Sequence, residues 1–236
     1  MTDIQDYSDE RLNAGCIYCG STIEDSESNH DHVPSRSILE RPLPAYLPKV
    51  QVCIKCNSGF SFDEEYFISF LSCLLSGTTD PSKQEVKSVG RALVRNPSLR
   101  TRIEDARSEA IHNGETRILW NPEWRRINNV ILKNARGHAF HELGLSTASE
   151  PNYVRACPLE LLDHFQRRNF EETSSFFWPE VGSRILQRLV GQLDLQEGWV
   201  IVQKGVYRYS VVQDFGVRVR TVIRDYLATE VYWSGQ

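Results

Sequence analysis

Between residues 16 and 57 the chain gathers side chains that can hold a metal and move a proton. Cys16-Ile-Tyr-Cys19 and Cys53-Ile-Lys-Cys56 are two Cys-x-x-Cys knuckles, they bracket Asn29-His30-Asp31-His32-Val33-Pro34, and Asn57 follows the last cysteine at once. Each knuckle presents two thiolates on a tight turn, so Cys16, Cys19, Cys53 and Cys56 together fill the four tetrahedral positions of a structural Zn²⁺. Such a closed site leaves no position for substrate. Any chemistry then falls to the residues the zinc holds in place, His30, Asp31 and His32. Cys73 and Cys157 stand apart. Four of six cysteines falling in two x₂-spaced pairs points to metal, not disulfides, in a reducing compartment.

These residues need a frame. His30 to Val33 reads as a short strand stopped by Pro34, the prolines at 42, 44 and 48 forbid a helix in the following loop, and Val50-Gln51-Val52 reads as the returning strand. With the second knuckle opening a helical turn, the segment is a β-β-α unit around zinc. Ser61-Phe-Asp-Glu64 has the pattern of a capping box and predicts a helix through Tyr66, Phe67, Phe70, Leu71 and Leu74 to Gly77. Asp80-Pro81, Asn96-Pro97 and Asn121-Pro122 each place an Asx cap before a proline and predict three more helices.

In the first of these, Lys83, Lys87, Arg91 and Arg95 recur every fourth residue opposite Val86, Val89 and Leu93, a basic face that phosphates would suit. The second is expected from Pro97 to Gly114, with Leu99, Ile103, Ala106 and Ala110 inward. The third ends near Gly144 and is expected to bury Trp124, Ile127, Ile131 and Ala135, which places His138 in the core stripe instead of a second metal site with His141 and Glu142. Helices are expected around 159–168 and 181–193. Residues 199–233 alternate polar and apolar as a sheet of about four antiparallel strands.

The fold class expected is α+β: a zinc-stapled unit within residues 1–78, then a mainly helical region and a small C-terminal antiparallel sheet within 79–236, positioning substrate or a partner. No apolar run spans a membrane and the acidic start is unlike a signal peptide, so a cytoplasmic protein is expected. Net charge is −4 and unevenly spread: residues 1–82 carry 5 Lys/Arg against 13 Asp/Glu, and residues 83–136 carry 12 against 6. The middle block is where a phosphate backbone would be met.

The order Cys-x₂-Cys, Asp31-His-Val-Pro34, Cys-x₂-Cys-Asn57 resembles the HNH endonucleases, the ββα-metal nucleases, over roughly residues 13–76. Ser61-Phe-Asp-Glu-Glu-Tyr-Phe and Arg136-Gly-His-Ala-Phe-His-Glu-Leu-Gly also resemble bacterial proteins that share this arrangement. The resemblance implies a metal-dependent endonuclease that hydrolyses phosphodiesters of nucleic acid, with double-stranded DNA the expected substrate. It makes His32 the general base, and Asp31 and Asn57 the ligands of a catalytic Mg²⁺ or Mn²⁺. The middle Asn of the HNH pattern has no counterpart between Pro34 and Val52. A role as nuclease effector of an antiviral or toxin system, restrained by a regulatory partner, and action as a homodimer are compatible expectations. The alternative is a non-catalytic zinc-knuckle module that binds DNA or protein, which would have no need of Asp31, His32 and Asn57.

Overall fold

The computed structural model of the chain describes residues 1–4, 15–23, 28–112 and 115–235. By their acidic, polar sequence residues 1–15 read as a loose lead-in and Ser21 to Ser28 as a surface loop, and both stretches fall largely outside these. In chain order the elements are β1 (Ser28–His32), β2 (Lys49–Cys53), α1 (Ile54–Gly59), α2 (Ser61–Ser76), α3 (Lys87–Arg95), α4 (Pro97–Asp105), β3 (Arg107–His112), β4 (Glu115–Trp120) and α5 (Trp124–Leu143). They continue with β5 (Tyr153–Pro158), α6 (His164–Glu171), α7 (Arg184–Gly191), β6 (Leu195–Gln196), β7 (Trp199–Gln203), β8 (Tyr207–Gln213), β9 (Gly216–Ile223) and β10 (Leu227–Ser234). The protein is α+β, as expected. Two compact units are present, residues 1–58 with 131–236 and residues 59–130.

In the 59–130 unit, α2 buries Tyr66, Phe67, Phe70 and Leu71, and Gly77 closes it at φ 68°. Ser61 is its first helical residue; Phe60 occupies the cap and no side chain bonds the first amides, so the expected capping box does not form. Asp63 is instead held by Arg126 and by Asn129 Nδ2 at 2.8 Å. Asp80 does cap, but only a single 3₁₀ turn, Pro81–Lys83. The chain breaks at Gln84, whose buried amide donates to the carbonyls of Thr78 and Asp80, and α3 then starts afresh. Gly90 makes the break possible: a Cβ there would lie 2.6 Å from the Pro81 carbonyl oxygen. Lys83 is therefore not on the helix of Lys87, Arg91 and Arg95. All four are exposed, and Arg95 pairs with Glu65 at 2.6 Å.

The helix expected to run to Gly114 stops at Asp105, and β3 and β4 pair antiparallel, with Arg107 opposite Trp120 and His112 opposite Glu115. Asn113-Gly114 is a two-residue hairpin turn signal flanked by β-compatible residues. It outweighs a four-residue apolar period that only Ala106 and Ala110 extended. Trp124, expected in the core, is 49% exposed, because α5 buries its stripe only from Ile127 onward.

In the other unit, six antiparallel strands run in the order β5-β10-β9-β8-β7-β6. β7 to β10 are the alternating segments expected; β5 joins from outside them, with Tyr153 opposite Tyr232, and β6 adds a short edge. The helices expected at 159–168 and 181–193 are shorter, and α6 starts at a true capping box between Asp163 and Gln166. The later turns of α5 are buried with this sheet. His138 stacks on Tyr209 with ring centroids 3.8 Å apart and its Nε2 meets Tyr207 Oη at 2.8 Å, a core histidine as expected. Glu142 and Arg188, both fully buried, pair at 3.0 Å.

Candidate metal centre and active site

β1 and β2 pair in unbroken register from Ser28 opposite Cys53 to His32 opposite Lys49, and α1 follows the second knuckle. The first knuckle is a turn closed by Cys16 N–H donating to the Ser21 carbonyl at 2.8 Å and Gly20 N–H to the Cys16 carbonyl at 2.8 Å; Gly20 sits at φ 72°, which glycine adopts without strain. This brings Cys16, Cys19, Cys53 and Cys56 together with all four Sγ atoms within 4.8 Å of one another. Cys19 Sγ and Cys53 Sγ are 4.0 Å apart. A tetrahedron of ~2.3 Å Zn–S bonds has edges of about 3.8 Å. Burial pushes the Cys16 and Cys56 thiols up, while hydrogen bonds from Ser21 draw Cys19 down to about 6. Four crowded thiols ionise together only around a cation, so the donor set and spacing fit Zn²⁺. Cys73 is buried elsewhere, its thiol pushed up to about 12 by burial, and Cys157 is outside the cluster.

What positions the knuckle and β1 is α5, through residues that sequence reasoning did not assign to the site. Arg136 is buried and gives its guanidinium to four carbonyls, those of Tyr18 (3.1 Å), Thr147 (2.9 Å), Ala148 (3.1 Å) and Ser149 (3.0 Å). Asn134 Oδ1 accepts the Ser35 N–H at 2.9 Å. Gly137 admits Val33: a Cβ there would lie 2.6 Å from Val33 Cγ2. Lys133 Nζ donates to Ser35 Oγ at 2.9 Å and lies 2.8 Å from Asp31 Oδ2. The signal in the sequence was Arg136-Gly137 itself, a buried-type arginine beside a glycine inside a strong helical pattern.

His32 ends β1, half-buried, and its imidazole makes no hydrogen bond among the described residues. Burial lowers its pKa, and the nearby charges of Arg36 and Lys49 lower it further. Lys49 is its cross-strand partner, which puts the two side chains on one face. His32 is thus a neutral, accessible imidazole between two exposed cations at neutral pH. His30 is exposed, as expected.

Asp31 points the other way and is buried. Its Oδ2 takes the Tyr18 hydroxyl at 2.9 Å and the Lys133 ammonium at 2.8 Å, and its Oδ1 takes the His32 backbone N–H at 2.9 Å. A hard cation needs free carboxylate oxygen, whereas this carboxylate is already neutralised and hydrogen-bonded on both oxygens. Asn57 lies inside α1, half-buried, where it caps nothing and makes no side-chain hydrogen bond among the described residues. The arrangement does not fit a divalent cation held by Asp31 and Asn57. Lys83, Lys87, Arg91 and Arg95 belong to the other unit.

No family model matches this chain, and no curated protein or solved structure matches it either. No helix among the described residues is long and apolar enough to cross a membrane.

Proposed function

We propose that the zinc-stapled segment is the active site of an HNH-type endonuclease that hydrolyses phosphodiester bonds of nucleic acid, with His32 as general base. The observation that carries this reading is a half-buried imidazole at the end of β1, free of hydrogen bonds to the described residues, whose pKa burial and then the charges of Arg36 and Lys49 lower. A histidine kept neutral can take the proton of a water as its oxygen attacks phosphorus. The leaving oxygen departs with a proton from solvent, and Arg36 and Lys49 balance the charge that builds on the phosphate. DNA is the substrate in this proposal, and the exposed bases Lys87 and Arg91 contribute phosphate contacts. A Mg²⁺ or Mn²⁺ at Asp31 and Asn57 would have to displace Lys133 from Oδ2.

One observation favours the second reading, a zinc module that binds nucleic acid without cutting it: the buried Asp31–Lys133 pair ties a residue of the expected catalytic set into the scaffold. Plasmid cleavage separates the two. Zinc-loaded wild type should nick supercoiled DNA, and His32→Ala should lose about 10²–10⁴-fold in rate while binding DNA and zinc as before. A wild type that binds plasmid and leaves it uncut over a full divalent-metal series, or a folded His32→Ala protein that cuts at the wild-type rate, rejects the nuclease.

A further inference from the structure

A cavity of about 750 Å³ on the C-terminal sheet has no part in the proposed function. The pairing register builds it. Across β5, β10 and β9, Arg155 lies opposite Glu230 and Glu230 opposite Arg220, while Tyr153 lies opposite Tyr232 and Tyr232 opposite Arg218. Because cross-strand partners and alternate residues share a face, these two rows stand together on one side of the sheet. The next row, Cys157, Ala228 and Val222, is apolar and packs with Phe170 of α6. The cavity is therefore lined by the arginines and Glu230 of one row and by Cys157, Ala228 and Phe170 of the apolar one, together with the Gln166 and Asn169 amides and Phe176.

Three arginines and three carboxylates line it, and what each already holds decides the outcome. Burial alone would raise the Glu230 carboxyl, but the Tyr153 hydroxyl at 2.6 Å and Arg220 outweigh it and hold it low. Asp214 accepts the Phe176 N–H at 2.9 Å, and Glu172 accepts the Ser174 N–H at 3.0 Å. Arg220 is committed to Glu230 and to the Glu172 carbonyl. Two guanidinium groups remain. Arg155 is exposed and rests 4.3 Å from the Tyr153 ring centre, with no carboxylate partner among the described residues. Arg218 lies 5.3 Å from the Tyr232 ring centre; its Nε is shielded from solvent without a hydrogen-bond acceptor, the Glu230 oxygen being 4.0 Å away. The Tyr153 and Tyr232 rings stack at 5.6 Å and fix both platforms.

Arg155, with no carboxylate partner among the described residues, and Arg218, whose carboxylate stands 4.0 Å off beyond hydrogen-bond distance, present two planar forks that suit a phosphate, which arginine grips bidentately. Phe176, 88% exposed, offers a face on which a base can stack, a contact tolerant of base identity. The Asn169 and Gln166 amides can bond base edges, Gln166 through its NH₂ because its oxygen takes the Asp163 N–H. Since the lining is formally neutral, it suits one phosphate and not a triphosphate. We propose that this cavity binds a nucleoside monophosphate, free or as one unit of a single strand, with its phosphate on Arg155 and Arg218 and its base against Phe176.

The test is calorimetric titration of zinc-loaded, full-length His32→Ala protein, which cannot consume a strand, so that failure of catalysis and failure of this site are read separately. The probes are AMP, ATP, inorganic phosphate and a ten-residue oligothymidylate. AMP or the oligonucleotide should bind, inorganic phosphate at least tenfold more weakly, and ATP no tighter than AMP. Arg155→Ala and Arg218→Ala should each weaken binding about tenfold, equivalent to about 1.4 kcal/mol. Arg155→Lys should recover only part of the loss, with an unchanged melting temperature showing that the fold survives. Binding of AMP alone assigns a free nucleotide, and tighter binding of the oligonucleotide assigns a strand. The proposal is overturned if neither binds at millimolar concentration, if both alanine variants bind as well as the parent, or if phosphate or ATP binds tighter than AMP.

Discussion

Lys133→Met should destabilise the protein more than the loss of any exposed lysine. The Lys133 side chain is 3% exposed and that of Asp31 11%, with Nζ 2.8 Å from Oδ2. Removing one partner of a buried ion pair leaves an uncompensated charge at a cost of about 3–5 kcal/mol. The Tyr18 hydroxyl, still bonded to Oδ2, keeps the loss toward the lower figure. At roughly 2–4 °C per kcal/mol for a unit of this size, the melting temperature should fall by about 10 °C. Asp31→Asn should cost a similar amount, since it removes the carboxylate that lies 2.8 Å from the buried Lys133 ammonium. The double variant removes both charges and should recover about 2 kcal/mol or more relative to the sum of the singles. Urea unfolding of the four zinc-loaded proteins measures this. The same proteins also report on the cation. Lys133→Met frees a carboxylate, so millimolar Mn²⁺ should stabilise it by mass action and stabilise the wild type far less. Single variants that lose under about 1 kcal/mol, additive losses, or equal Mn²⁺ stabilisation of wild type and variant would refute the reasoning.

Elemental analysis should find one zinc per chain; Cys19→Ser should lose it and unfold the β1–β2–α1 segment, since structural zinc supplies on the order of 10 kcal/mol to such folds, whereas Cys73→Ser should retain it. Because burial and then Arg36 and Lys49 lower the His32 pKa, and the base works unprotonated, the acid limb of kcat/KM should fall below 6.5 and move up toward it in Lys49→Met. Lys87→Ala and Arg91→Ala should each reduce the log–log salt slope of DNA binding by roughly 0.9; an unchanged slope leaves these residues as a solvated face. Burial holds His138 at about 3, below the unfolded value, so the unfolded state binds the extra proton. Its contribution is complete above about 6.5 and is lost as pH falls toward 3, up to about 5 kcal/mol, which chemical unfolding at pH 7, 5 and 4 should show and which Tyr207→Phe should alter.

The elements read correctly from sequence were those whose signal is local. The knuckles, β1 and β2, α2 with its Gly77 stop, and β7 to β10 each carry their pattern within a dozen residues. The errors came where a distant contact decided the outcome. A run of cations at every fourth position from Lys83 to Arg95 reads as one helix, but Gln84 is recruited by the Thr78 and Asp80 carbonyls, and the Pro81 carbonyl approaches Gly90 too closely for any other residue. β5 has a half-buried pattern without strict alternation, and only its pairing with β10 makes it a strand.

The site divides along the same line. Four cysteines at x₂ spacing read as a metal-binding set from chemistry alone, and the structure brings their Sγ atoms within 4.8 Å of one another. Asp31 is different: its type and its neighbour His32 are what a cation site requires, and a carboxylate's availability depends on what faces it. Here that is Lys133, 102 positions further along the chain, on a helix whose pattern around residue 133 reads as core. An ammonium in the place of a divalent ion supplies one charge instead of two and cannot exchange its ligands for a phosphate oxygen. Asp31 therefore fixes the end of β1 through the His32 N–H and Tyr18, and His32 keeps its position at the strand end with its imidazole turned toward Arg36 and Lys49. Under the proposed nuclease reading, what this arrangement would leave to the centre is proton transfer by His32 against a phosphate held by the exposed Arg36 and Lys49.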